Sequence, residues 1–129
     1  MFRLHAKAQV VAILAFSVMY FGAVFLAVHG PGGAARGGLI SAFLNIDAYL
    51  ASVVAGYLAA AMVRRRGVVI GALTGLLAAC LVGIYHFASG PFTAISSDWH
   101  FWLASVLLGG CGGLIWHLRA SAADARRHL

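Results

Sequence analysis

The chain has 129 residues, of which 63% are hydrophobic and only 9% are charged, and its mean hydropathy is +0.95. A soluble domain is about 45–50% apolar and about 25% charged, so this composition excludes an ordinary soluble protein and indicates a single-domain integral membrane protein. The net charge of +6 does not indicate nucleic-acid binding, because the basic residues stand in short clusters beside apolar segments, where they orient helices and meet the lipid bilayer.

Four long apolar segments follow the basic start of the chain, MFRLHAK, and each is long enough to cross about 30 Å of hydrocarbon. Glycine, proline or arginine interrupts the chain between them. We therefore predict an all-α integral membrane fold, with four transmembrane helices in an antiparallel bundle. The predicted helices cover about residues 8–29, 39–63, 67–87 and 98–118. The first and third both end in a histidine followed by a glycine-proline pair, which suggests two tandem hairpins.

The distribution of basic residues predicts the orientation of the helices. Eight of the nine lie in the N-terminal lead, in the triplet Arg64, Arg65 and Arg66, and in the C-terminal tail, whereas the other two loops hold only Arg36. By the positive-inside rule both termini and the triplet face the cytoplasm, and the triplet also meets lipid head groups. Residues 56–79 resemble the central hairpin of small bacterial four-helix membrane proteins, which implies a bacterial inner membrane.

Small residues recur at every fourth position in the second, third and fourth predicted helices. Lipid gives helices no hydrophobic reason to associate, so such stripes predict close contact between helix backbones. The stripes contain Ser52, Gly56, Ala60, Gly67, Gly71, Gly75, Ala79, Gly83, Gly109 and Gly113. One four-helix bundle needs fewer small-residue faces than these three helices provide. The leading expectation is therefore a non-enzymatic membrane protein that acts as a homo-oligomer or as an accessory subunit of a larger membrane complex.

Asp47 is the only charged residue in the second predicted helix, about nine residues from its start. A carboxylate at the centre of a membrane helix costs about 2.5–3.5 kcal/mol, so it needs an explanation. One hypothesis is a small channel or transporter in which Asp47 binds a proton or cation, with Asn45 and Tyr49 as further polar candidates. The alternative is that a protonated Asp47 forms a hydrogen bond across a helix interface and only fixes association.

Histidines at the predicted outer boundary suggest a third hypothesis. His29, His86, His100 and the nearby Asp98 are residue types that bind zinc, copper or haem iron, although no compact ligand motif is present. Enzymatic activity has little support, because the chain has no glutamate and lacks the GxSxG, CxxC and Walker-type motifs.

Overall fold

The computed structural model describes residues 2–30, 37–64, 66–89 and 99–127. Its regular elements within these ranges are four α-helices, which confirms the predicted all-α fold. They are α1 (Phe2–His29), α2 (Gly37–Val63), α3 (Gly67–Ser89) and α4 (Trp99–Arg127).

Each of the four helices contains a segment that is long and apolar enough to cross a membrane. The segments have 26, 21, 19 and 26 residues in chain order, and at 1.5 Å per residue even the shortest covers about 28 Å. The hydrocarbon core of a bilayer is about 30 Å thick. By length and composition, the four helices therefore fit a small multi-pass membrane protein.

The helices are longer than the sequence predicts, above all at the two ends of the chain. α1 begins at Phe2 and not near residue 8, and α4 continues to Arg127 and not only to residue 118. Both extensions contain alanine, lysine or arginine, which are strong helix formers, and neither contains glycine or proline. Charged residues therefore indicate where each helix leaves the hydrocarbon, but they do not end the helix, because its backbone hydrogen bonds continue past them.

α2 and α3 form the middle of the molecule. α2 packs against all three other helices, and α3 packs most extensively against α4. α1 packs mainly on α2 and only slightly on α3, and within the described ranges it does not touch α4. The α2–α3 pair is therefore covered by α1 on one side and by α4 on the other.

A tight turn that begins at Arg64 and ends at Arg66 joins α2 to α3. The backbone of Arg64 has a φ of 56° and that of Arg66 a φ of 48°, both in the left-handed region. The N–H of Arg64 donates to the carbonyl of Ala60 at 2.9 Å, and the carbonyl of Arg66 accepts from Ile70 at 3.0 Å. These bonds close the last turn of α2 and open the first turn of α3.

Candidate functional site

The interface of α4 with α2 and α3, which we call the α4 seam, is lined by glycine. Three pairs are in close backbone contact, namely Gly67 with Gly113, Gly71 with Gly109, and Gly75 with Ser105. A Cβ atom added to any of these glycines would overlap the opposite backbone. Residue numbers rise along α3 while they fall along α4, so the small stripe of α3 lies directly on the stripe of α4.

α4 packs on two helices at once, and this explains the glycine-rich sequence GGCGG at residues 109–113. Gly109 faces α3 and also meets Gly56 of α2, whose added Cβ would lie 2.8 Å from the Gly109 carbonyl carbon. Gly112 faces α2, where an added Cβ would lie 2.8 Å from the backbone nitrogen of Tyr57. Cys111 is exposed. The every-fourth-residue pattern missed Gly112, because it belongs to a second contact face of the same helix.

The other members of the predicted stripes also pack against residues of the same chain. Ala60 and Ala79 are buried, and a Cβ added to Gly83 would lie 3.2 Å from the ring of Trp102. Ser52 is buried, and its hydroxyl donates to a carbonyl oxygen of its own helix at 2.9 Å. The small faces of α2, α3 and α4 therefore contact one another and are not left open for a second chain.

The interface of α1 with α2 and α3, which we call the α1 seam, carries polar side chains instead. The Thr74 hydroxyl lies 2.8 Å from Gln9 Oε1 and 2.9 Å from the carbonyl oxygen of Ile70, so these acceptors share its proton. The Gln9 side-chain amide donates to the same Ile70 carbonyl at 3.4 Å. Thr74 is fully buried. A hydrogen-bonded pair thus joins α1 to α3 about 10 Å from the start of α3.

Further along the α1 seam, Asp47 of α2 lies near Tyr20 of α1. The Oδ2 atom of Asp47 is buried and has no hydrogen-bond partner within the described part of the chain. Tyr20 is buried and interacts electrostatically with Asp47 and with Tyr85 of α3. By helical rise Asp47 lies about 15 Å from the start of α2 and about 24 Å from its end. The seam therefore holds a carboxylate and two phenols within the apolar span.

Aromatic contacts orient these two phenols. The ring of Tyr20 stacks on Phe16 with centroids 5.8 Å apart, and Phe16 is 1% exposed. The ring of Tyr85 meets Phe21 edge-on at 5.0 Å. Phe16 lies between Tyr20 and Gln9 along α1, so a buried ring separates the two polar groups of the α1 seam. Nothing in the sequence pattern singled out Tyr85 as a neighbour of Tyr20, since it resembles an ordinary aromatic residue at a membrane boundary.

The two other polar candidates on α2 lie on a different face. The ring of Tyr49 lies against Phe101 of α4, with centroids 6.2 Å apart, so Tyr49 belongs to the α4 seam. Asn45 is half-buried and shares the face of Tyr49 at i, i+4. Residues two apart on a helix point nearly opposite ways, which separates both from Asp47. Tyr20, the residue shown near Asp47, comes from α1.

The outer histidines are only partly described. His29 and His100 are exposed, and their rings lie against Phe25 and Trp99 with centroids 4.4 and 3.7 Å apart. Asp98 and the side chain of His86 lie outside the residues that the structure describes. Among those it does describe, no three His, Cys, Asp or Glu side chains are grouped so that they could hold a metal ion. The metal or haem site stays a prediction.

No protein-family model, no curated protein and no solved structure matches the chain.

Proposed function

We propose that the protein is a small membrane carrier or channel in which Asp47 binds a proton or a small cation within the α1 seam. The observation that carries this proposal is the buried Oδ2 atom of Asp47, which has no partner among the described residues. A carboxyl group that only joined two helices would be paired with its neighbour, because buried polar groups in proteins are nearly always paired. An unpaired oxygen near the phenol of Tyr20 suits a group that gains and loses an ion.

Binding of an ion by Asp47 is energetically more favourable than a permanent charge on its carboxylate. A carboxylate at the centre of a membrane helix costs about 2.5–3.5 kcal/mol on insertion scales. Binding a proton or a cation neutralises Asp47 and removes most of that cost, so occupancy of the site is coupled to the position of the carboxyl in the membrane. The phenol oxygen of Tyr20 would supply an additional neutral ligand.

The two seams differ in a way that supports movement of α1. The α4 seam joins α2, α3 and α4 through backbone contacts that leave no space for a methyl group. α1 is held mainly to α2, and only 22% of its most apolar segment is buried, compared with 44% in α2 and in α3. In this proposal α1 shifts against the other three helices. Such a shift would open the α1 seam and change access to Asp47.

We further propose an antiparallel bundle in a bacterial inner membrane with both termini in the cytoplasm. The opposite residue order in the α3–α4 contact supports the antiparallel arrangement. The positive-inside rule supports the orientation, since the arginine turn and both ends of the chain are basic.

The test is ion flux into proteoliposomes that contain the purified full chain. Wild-type protein should carry protons, sodium or potassium, and Asp47→Asn should reduce that flux at least about tenfold, because the amide keeps the shape of the side chain but cannot release a proton or pair with a cation. Asp124→Asn is the matched control, since Asp124 is an exposed carboxylate on the last turns of α4. It should leave the flux unchanged.

Two results would contradict the proposal. The first is equal flux in the wild type and in Asp47→Asn. The second is the absence of flux of all three ions in wild-type protein that is shown to be folded and inserted.

Assembly as a homo-oligomer or as a subunit of a larger membrane complex is a second candidate. Gly22 of α1 favours it, because an added Cβ there would meet nothing within 4 Å. Glycine costs about 1 kcal/mol relative to alanine in a helix, and contact with a second chain would offset this cost. Gly22→Leu should convert a cross-linked oligomer to a monomer in detergent. A wild-type protein that is already a monomer under gentle extraction contradicts a homo-oligomer.

A further inference from the structure

The last turns of α4 form an exposed basic surface. From Trp99 to Trp116 the helix rises about 26 Å, close to the thickness of the hydrocarbon, and it continues for about 16 Å more to Arg127. On this extension Arg119 and Arg126 line an open groove of about 480 Å³ together with Ala122 and Ala123. These four positions are i, i+3, i+4 and i+7, so the two arginines lie on one face with only methyl side chains between them.

The arginine turn between α2 and α3 lies at the same level as the start of this extension. Gly67, which follows the turn, faces Trp116 of α4, and its added Cβ would lie 3.2 Å from the Trp116 ring. Arg66 directly precedes Gly67, and Arg119 is one turn beyond Trp116. We call the exposed arginines at this end of the molecule the basic rim. They are Arg64, Arg66, Arg119 and Arg126.

The charge of the basic rim is not neutralised by the described part of the chain, where none of its four arginines has an ion pair. Asp124 is the one carboxylate on the described extension, and it is five residues after Arg119 and two before Arg126. At 100° per residue, these separations place Asp124 away from the face of the groove. The rim therefore has several guanidinium groups available to an external anion.

We propose that the basic rim binds the phosphate groups of anionic phospholipids. Guanidinium groups bind phosphate through paired hydrogen bonds, and each basic residue near an anionic lipid surface contributes about 1 kcal/mol. A lipid is favoured over a soluble phosphate compound because the rim lies beside Trp116, and tryptophan rings favour the head-group level of a bilayer. The short alanines of the groove leave room for a head group between Arg119 and Arg126.

The test measures lipid binding by the full chain purified in a neutral detergent. Dissociation constants for phosphatidylglycerol and phosphatidylcholine are obtained by native mass spectrometry. The wild type should bind phosphatidylglycerol at least about tenfold more tightly than phosphatidylcholine. The double variant Arg119→Gln/Arg126→Gln should bind phosphatidylglycerol about 25-fold more weakly, or about fivefold for each arginine removed. The double variant Arg64→Gln/Arg66→Gln, on the other side of the basic rim, should weaken phosphatidylglycerol binding by a similar factor.

Two controls make the result specific. Lys7→Gln removes an exposed positive charge from α1, which does not touch α4 within the described ranges, and should weaken phosphatidylglycerol binding clearly less than the loss of Arg119 and Arg126. Arg119→Lys/Arg126→Lys keeps both charges but loses the paired hydrogen bonds, so it should weaken binding less than the glutamine variant does. The proposal is overturned if the glutamine variants bind phosphatidylglycerol like the wild type, if both lipids bind equally, or if inorganic phosphate at millimolar concentration displaces the lipid from the rim.

Discussion

Two neighbouring glycines of α4 should respond in opposite ways to the same substitution. Gly109 faces α3, and an added Cβ would lie 2.9 Å from both the Cα and the nitrogen of Gly75. At Gly110 the nearest atom to an added Cβ is the Cβ of Ala72, at 3.7 Å, which is an ordinary van der Waals contact. We expect Gly109→Ala to destabilise the fold and Gly110→Ala to stabilise it.

The distances set the size of the difference. The carbonyl oxygen of Gly71 is the nearest atom to the added Cβ, and to reach an ordinary contact of about 3.4 Å with it, α3 and α4 would have to separate by about 1 Å at Gly109. Overpacking of this kind costs about 1–3 kcal/mol, and a gap of that size also weakens the dispersion contacts of the surrounding atoms. Both variants gain about 0.5–1 kcal/mol of helix propensity. The free energies of unfolding of the two variants should therefore differ by about 1–3 kcal/mol.

Unfolding in mixed micelles by titration with sodium dodecyl sulfate, followed by far-ultraviolet circular dichroism, measures this difference. The two positions are adjacent on one helix, so membrane depth and detergent are matched. Gly112→Ala should resemble Gly109→Ala, because its Cβ would lie 2.8 Å from the nitrogen of Tyr57. If Gly109→Ala is as stable as Gly110→Ala, the backbone contact in the α4 seam is not as close as described.

Two further predictions use the same titration. Thr74→Val removes the hydrogen bond to Gln9 and should lower the free energy of unfolding by about 0.6–1.7 kcal/mol. Ser52→Ala, whose hydroxyl bonds only within α2, should have a smaller effect, and equal effects would argue against an interhelical bond. Arg64→Gly should stabilise the fold by up to about 1 kcal/mol, because a left-handed φ of 56° is strained for an L-residue, whereas a clear loss of stability would contradict this account.

The candidate site shows how far sequence reasoning reaches. The cost of a carboxylate in lipid identifies Asp47 without any knowledge of its neighbours. The spacing of Tyr49 predicts its separation from Asp47, because residues two apart on a helix point nearly opposite ways. The approach of Tyr85 to Tyr20 was not predicted, since the two residues lie on different helices and are 65 positions apart along the chain. No periodic pattern relates residues on two helices whose relative rotation is unknown.

The sequence by itself determines the class of the protein. Its composition demands a lipid environment, the lengths of its apolar segments require four helices, and the every-fourth-residue spacing of small residues defines faces that favour close contact. Tertiary structure decides what covers each face. Glycines from α2, α3 and α4 meet one another in the α4 seam, whereas α1 covers the polar groups of the other side. The physical reason is that helix periodicity fixes which residues share a face, but only the packing of distant helices fixes their partners.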